Sequence, residues 1–466
     1  MAKSSGNSLL IGGVDVGSSS IKATLYDART FKVTKRKRIR YPQNTFQENH
    51  VDVDIVFKMF KQILDEFVSL GVKGVSISSM APIMVLVDSD LRPLTGIPYN
   101  SLRGSEYFSK LRNYEFQKMT LNALNVQMLP HKIMWVKENL PTVFKRSRWI
   151  LDLNGYIFNR LMENSYEIPV QDINTSFEWG LVRHDSMDWW HELVHDLGVT
   201  EKLPILVQPE FSGTYRTVEV SIGTVDTILS ALGLLGISDS KMFASNGSTL
   251  CAGFVSDVPA NSSVLYNDIF FEDRFLVNGC NSQYSTVMDW VHDIFGRNVD
   301  VERIDINPRS VLFLPYLLGE RCPVFSPELR GGFFGLEKST TQDDLIASVV
   351  HSLAYLSADM ISNLVLIARR SPNMIVAGGG FSKQNLGRII SSLTNMKYLI
   401  VDGEPGTLGA ALVSMKSLKL IKHYPADTEK FGLKEKASID PDPSYRVHEE
   451  NFHRFTKLRN ALSEIS

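Results

Sequence analysis

The chain has 466 residues, roughly three times what one hydrophobic core serves, so about two or three domains are expected. Apolar residues make up 44% and charged residues 21%, which excludes a disordered chain. The 49 Lys and Arg nearly cancel the 51 Asp and Glu, so a nucleic acid or an anionic membrane would need a local patch to bind.

Met1 to Ser8 is short and polar, and the apolar run after it is too brief for a signal peptide. Leu9 to Val16 reads as a strand ending in the small-residue turn Gly17-Ser18-Ser19-Ser20, and Ile21 to Asp27 as the returning strand. A third strand is expected over Phe31 to Tyr41. Its basic run, Lys35-Arg36-Lys37-Arg38-Arg40, reads as a solvated sheet edge rather than a nucleic-acid patch. Val56, Phe60, Ile63 and Phe67 recur at helical spacing behind Asp52 and Asp54. Val72 to Ser78 and Met84 to Val87 return to strand character, so the opening domain is α/β with an antiparallel start. Trp189-Trp190 reads as packing.

The longest apolar stretch, Ile222 to Ile237, contains Asp226 and three glycines and falls short of a membrane span. A second hairpin follows: a strand at Lys241 to Ser245, the turn Asn246-Gly247-Ser248, and a strand at Thr249 to Val255. The cysteines, Cys251, Cys280 and Cys322, are scattered without a CxxC. Neither a disulfide framework nor a zinc knuckle is expected, and a reducing, cytoplasmic setting fits. Leu345, Val349, Leu353 and Leu356 mark a helix, with Thr340 and Asp343 as its cap. Met374 to Ala377 is a buried strand closed by Gly378-Gly379-Gly380, with a helix from about Ser382. Two halves of about 230 residues, each opening with a small-residue hairpin, suggest duplication; chance recurrence of a common hairpin is the alternative.

In Asp15-Val16-Gly17-Ser18-Ser19-Ser20, the glycine permits close backbone approach to an anion and the serines add hydroxyl donors. Asp15 can hold Mg²⁺, which favours one or two carboxylates plus substrate phosphates. A solvated serine-rich hairpin is the plain alternative. Asn246-Gly247-Ser248-Thr249 offers the same chemistry, and there is neither a Walker loop nor a GxGxxG. Asp226, an acid in an apolar run, reads either as a helix cap or as a general base for phosphoryl transfer. Gly378, Gly379 and Gly380 would let an adenine or ribose lie flat against the backbone, and an ordinary glycine-rich loop is the plainer alternative.

In this order the motifs resemble the FGGY family of carbohydrate kinases, within the actin-like ATPase superfamily. The likeness rests on Gly13-Val14-Asp15-Val16-Gly17-Ser18-Ser19-Ser20-Ile21-Lys22-Ala23 and on Pro315 to Pro323 running to Arg330-Gly331-Gly332-Phe333-Phe334-Gly335. Asn246 to Thr249 and Ala377 to Gly380 with Leu408-Gly409-Ala410-Ala411 complete it. The resemblance implies an α/β fold of two RNase H-like domains, 9–236 and 237–425, with ATP and sugar in the cleft between them and a partly helical tail over 426–466. It implies Asp226 as catalytic base and in contact with substrate, Asp15 as the acid near the metal, and Arg103 as a sugar-facing arginine. Gly17, Ser18, Ser19, Ser20, Lys22, Gly247, Ser248, Thr249, Gly378, Gly379 and Gly380 would line ATP.

Relatives acting on xylulose often carry Gln-Met-His-Gly where this chain has Met80-Ala81-Pro82-Ile83, and an acid is common among relatives in general where it has Ser101. Gly213 to Gly223 is shorter than usual. The expected activity is ATP- and Mg²⁺-dependent phosphorylation of a small sugar or polyol, a pentulose first, with gluconate and glycerol as alternatives. A non-catalytic nucleotide sensor of the same fold is the competing class. No nucleic acid or membrane partner is expected, and at most a second copy of the chain.

Overall fold

The computed structural model describes residues 9–163, 165–246, 250–281, 284–296, 298–320, 322, 326, 328–379, 383–428 and 431–465. The chain packs as two compact units. The first comprises Met1–Gly236, Asp268–Arg274 and Glu404–Gly432, and the second Ile237–Asn267, Phe275–Gly403 and Leu433–Ser466.

The first unit is built on strands β1 (Leu10–Val16), β2 (Ser20–Asp27), β3 (Val33–Arg40), β4 (Gly74–Ser79), β5 (Ser212–Tyr215) and β6 (Val218–Val225). They form one sheet in the order β5-β6-β4-β1-β2-β3. β1, β2 and β3 pair antiparallel, β1, β4 and β6 are parallel neighbours, and β5 closes the edge antiparallel. The helix Val53–Ser69 carries the chain from β3 to β4, and its buried Val56, Phe60, Ile63 and Phe67 cover the sheet as their spacing predicts. Asp52 caps it, its carboxylate accepting from the Ile55 N–H at 3.0 Å. β3 is the basic edge strand: Lys35 and Lys37 both pair with Glu66. Trp189 and Trp190 are buried in a separate apolar cluster with Trp179 and Phe116.

The second unit repeats the pattern. Its strands are β7 (Lys241–Asn246), β8 (Leu250–Ser256), β9 (Tyr266–Ile269), β10 (Phe275–Asn281), β11 (Met374–Gly379), β12 (Lys397–Asp402) and β13 (Lys434–Ile439). The order is β9-β10-β8-β7-β11-β12-β13. Again two antiparallel pairings meet two parallel ones, and an antiparallel strand closes the edge. The helix Gln342–Ala368 takes the place of Val53–Ser69. Thr341 and Asp344 form its capping box, one residue beyond the expected Thr340–Asp343 pair, because the Thr341 and Asp344 N–H groups are the ones reached. This helix is long and apolar enough to cross a membrane, yet 89% of its apolar window is buried within the protein.

One expectation is corrected here. Cys251 and Cys280 face each other across β8 and β10 and are joined by a disulfide, because strand register brings together residues 29 apart in sequence. Glu404–Gly432 packs with the first unit, while Leu433–Ser466 packs with the second and supplies its edge strand β13.

Glycines explain the first of these placements. The helix Pro405–Ser417 lies against β1 and against the helix Asp226–Leu235 at backbone contact. A Cβ on Gly13 would sit 1.8 Å from the Thr407 carbonyl oxygen, and one on Gly409 would sit 1.9 Å from that of Leu229. Neither backbone can give way without separating the elements. Gly13→Ala and Gly409→Ala are each expected to cost about 3–5 kcal/mol, the range of severe core disruption. Thermal denaturation of the purified variants checks this, and unchanged melting would contradict the close contact.

Candidate functional site

The parallel strands of the first unit end together. Asp15 on β1 is aligned with Ser78 on β4, and Thr224 on β6 with the same Ser78. Asp226 follows β6 directly as the first residue of the helix Asp226–Leu235. The two acids therefore stand at the carboxyl ends of three neighbouring strands. Gly223 makes this exit feasible: its φ is +66°, and a Cβ there would meet the Ile77 carbonyl oxygen at 1.7 Å. The register shift between Ser221 and Thr224 falls at the same place. The short segment before Asp226 is thus a hairpin, β5 to β6, that leads straight into the helix.

Asp15 accepts from the Ser78 hydroxyl through Oδ1 at 2.9 Å, and among the described residues its Oδ2 accepts no hydrogen bond. Burial, then the neighbouring Asp226 charge, push the Asp15 carboxyl up to about 6, against the opposing pull of Lys22 and Ser78. Burial also raises Asp226, offset in part by the N–H and hydroxyl of Thr227 and by the charge of Lys22. Asp226 is not the N-cap, which is Val225, so the capping alternative does not describe it.

Lys22 is aligned with Asp15 across β1 and β2, and its ammonium donates to Glu404 at 2.9 Å. Burial alone would depress this ammonium, but the Asp15 and Glu404 charges outweigh it and hold it above its ordinary value. Two carboxylates near one lysine that is already paired leave a net negative cluster with an open carboxylate oxygen. Hard oxygen donors of this kind suit Mg²⁺ completed by phosphate oxygens and water. Among the described residues no group of three or more acidic, His or Cys side chains forms a protein-only cage.

In the turn after β1, the Gly17 N–H donates to the Ser20 carbonyl at 3.2 Å, and the buried Ser20 hydroxyl accepts from Arg38 Nε at 3.0 Å. Both are occupied in shaping the turn. Among the described residues, the N–H groups of the exposed Ser18 and Ser19 have no backbone partner.

A buried polar network lies further along this unit, and sequence reasoning missed it. Asp152 accepts from Ile83 N–H, Leu153 N–H and Trp179 Nε1, which fixes the Met80-Ala81-Pro82-Ile83 segment. Asp172 accepts from Thr175 N–H, Asn154 and Gln171. Burial, then Asp268, Asp226, Asp152 and Asp172 in turn, push Glu178 well above its ordinary range. Asp152 within the apolar run 149–158 was the available signal. Arg103 stacks over Trp135 at 4.5 Å and donates to the Asn49 carbonyl at 3.0 Å. Ser101 donates to Asn49 Oδ1 at 2.6 Å, and Gly104 (φ +87°) lets the loop close on the His131 backbone.

In the second unit, Ser245 and Asn246 at the end of β7 are aligned with Gly378 and Gly379 at the end of β11. Gly379 has φ +64°. The expected phosphate turn and nucleoside glycines thus start from adjacent strand ends. Gly247, Ser248, Thr249 and Gly380 lie outside the described residues.

The Asp15 shift has a sign that can be checked. With its folded pKa raised above the unfolded value of 3.8, this group's contribution to stability is full below about 3.8 and lost as pH rises through about 6. An ionised Asp15 therefore costs the fold at neutral pH. Asp15→Asn is expected to melt about 3–6 °C above the parent at pH 7.5 and to show no gain near pH 3.5, by calorimetry.

Residues 10–233 match the N-terminal domain model, and residues 242–418 the C-terminal domain model, of the FGGY family of carbohydrate kinases. A gluconokinase of Bacillus subtilis is 23% identical, over 90% of each chain. A xylulose kinase of Lactococcus lactis is also 23% identical, over 97% of each. Among solved structures, a gluconate kinase from Lactobacillus acidophilus superposes with a TM-score of 0.88 at 21% identity, covering 98% of this chain and 99% of that one. A Plasmodium falciparum glycerol kinase with ADP gives 0.84 at 15% identity, covering 97% and 98%.

Proposed function

The chain belongs to the FGGY family of carbohydrate kinases and is an ATP-dependent sugar kinase; we propose that it transfers the γ-phosphoryl group to a hydroxyl of a small neutral sugar, a pentulose first, with Asp226 as the base. The observation that carries this reading is the meeting of Asp15 and Asp226 at the ends of β1, β4 and β6 beside Lys22.

Asp226 accepts the hydroxyl proton as the new O–P bond forms. Burial raises its pKa, which improves it as a base. Asp15, steadied by Ser78, would hold Mg²⁺, which supplies charge to offset that of the phosphate oxygens. Ser18 and Ser19 donate to phosphate oxygens through N–H and hydroxyl groups. Glu404 fixes Lys22, whose charge tempers the mutual repulsion of the two acids.

A neutral substrate is favoured by the concentration of carboxylates here, with Asp268, Asp226, Asp152 and Asp172 all acting on the buried Glu178. A sugar acid brought there would meet repulsion. Arg103 supports the second reading, gluconate: its guanidinium is stacked on Trp135 and, among the described residues, has no carboxylate partner.

Asp226→Asn is expected to keep ATP binding and lose about 10²–10⁴-fold in turnover. Turnover like that of the parent would remove Asp226 from the mechanism. An ADP-release screen over D- and L-xylulose, ribulose, gluconate and glycerol decides the substrate. Gluconate as the best substrate would overturn the neutral-sugar assignment. Activity should also fall on acidification through about pH 6 as Asp15 takes up a proton.

A further inference from the structure

We propose that Arg36, Arg38 and Arg40 form a guanidinium row that holds the phosphate chain of the nucleotide, a role that rests on the reading of Ser18 and Ser19 as phosphate donors. Arg38 makes the contact, and Arg36 and Arg40 add to the attracting field.

Strand alternation divides the basic run of β3 between the two faces of the sheet. On β1, a Cβ on Gly12 would meet Phe67 of the helix Val53–Ser69 at 3.2 Å, whereas Gly13 meets Thr407 of the helix Pro405–Ser417. Asp15, two residues on, lies on the Gly13 side. Register carries that side across the sheet. Asp15 is aligned with Lys22 and Gly13 with Thr24. Lys22 is aligned in turn with Arg38, Thr24 with Arg36, and Ser20 with Arg40. The three arginines therefore share the face of Asp15 and Lys22. Lys35 and Lys37 occupy the other face, where both pair with Glu66.

The two sets differ in what they have left to bind. Lys35 and Lys37 share a carboxylate, while the three arginines are exposed and, among the described residues, have no carboxylate partner. Protecting a sheet edge needs only charge, which the lysines already supply. It does not call for a guanidinium tied to the turn. Arg38 is so tied: its Nε donates to the Ser20 hydroxyl at 3.0 Å, and its charge reaches Lys22, where it opposes protonation of the ammonium. Both Nη groups are left without a hydrogen-bond partner among the described residues.

This chemistry selects the ligand. The carboxylates around Lys22 suit a cation, and the guanidinium row beside them suits the opposite charge. A metal-bound nucleotide brings both. The planar fork of arginine matches phosphate oxygens two at a time. From Arg36 to Arg40 the row spans about 13 Å at the usual strand rise, which suits a chain of phosphates better than a single one. A neutral sugar offers such a row no charge.

Titration calorimetry of the whole protein with ATP, inorganic tripolyphosphate and adenosine is the test. Arg38→Gln should weaken ATP and tripolyphosphate about 10-fold and leave adenosine within about twofold. Arg38→Lys, which keeps the charge without the fork, should lose about 3-fold. Arg36→Gln combined with Arg40→Gln should weaken ATP about 3–10-fold at low salt, an effect screened away near about 0.5 M salt. Lys35→Gln and Lys37→Gln, on the other face, should stay within about twofold of the parent. In turnover, Arg38→Gln should raise KM for ATP by the same factor as Kd, with kcat changed less than about twofold.

Unchanged ATP affinity in Arg38→Gln overturns the proposal. So does an equal loss for adenosine, which would mark a damaged fold, or a Lys37→Gln variant as impaired as Arg38→Gln. If Ser18→Ala with Ser19→Ala leaves ATP affinity intact while Arg38→Gln lowers it, the serine reading fails and the arginine row stands. If no sugar is phosphorylated, the kinase reading fails separately, and the calorimetry still decides this one.

Discussion

Much of the first unit depends on backbone touching backbone at three glycines. Gly13 of β1 meets Thr407, Gly233 meets Pro405, and Gly409 meets Leu229, each at a distance no side chain could occupy. Such contact lets the helix Pro405–Ser417 lie directly on β1 and on the helix that begins with Asp226. Thr407 then reaches the hydroxyls of Thr24 and Tyr26, at 3.0 and 3.1 Å, and Glu404 reaches Lys22. A segment distant in sequence thus becomes part of the wall around Asp15.

That wall sets the electrostatics. Asp226 is brought close enough for its charge to oppose ionisation of Asp15, with one lysine to temper both. An isolated fold would be better served by neutral side chains here, and holding the acids ready for a cation and a hydroxyl is the trade of stability for function seen at many active sites. The network around Asp152 and Asp172 is of another kind. Its carboxylates are saturated with hydrogen bonds from the chain itself, which suits positioning rather than chemistry.

The two units share one strand pattern, antiparallel at one side and parallel at the centre, with a long helix crossing between the two parts. Each unit places the residues of interest at the carboxyl ends of its parallel strands, where backbone groups are free of ladder bonds. This is the physical reason that a small-residue hairpin recurs in both: the same exit from the same sheet needs the same room.

Local order was legible in the sequence because it depends on near neighbours. Apolar spacing gave the helix Val53–Ser69, alternation gave the opening hairpin, and the order of the Gly17, Asn246 and Gly378 motifs carried the family resemblance. Asp226 was legible as an acid in an apolar run, and Asp15 as the acid two residues before a small-residue turn. Tertiary structure alone decided the rest. Ser78 as the partner of Asp15, Glu404 as the partner of Lys22 across 382 positions, and Cys280 as the partner of Cys251 are all set by strand register and helix docking. Those depend on which surfaces bury together over the whole chain, and no local window of residues encodes them.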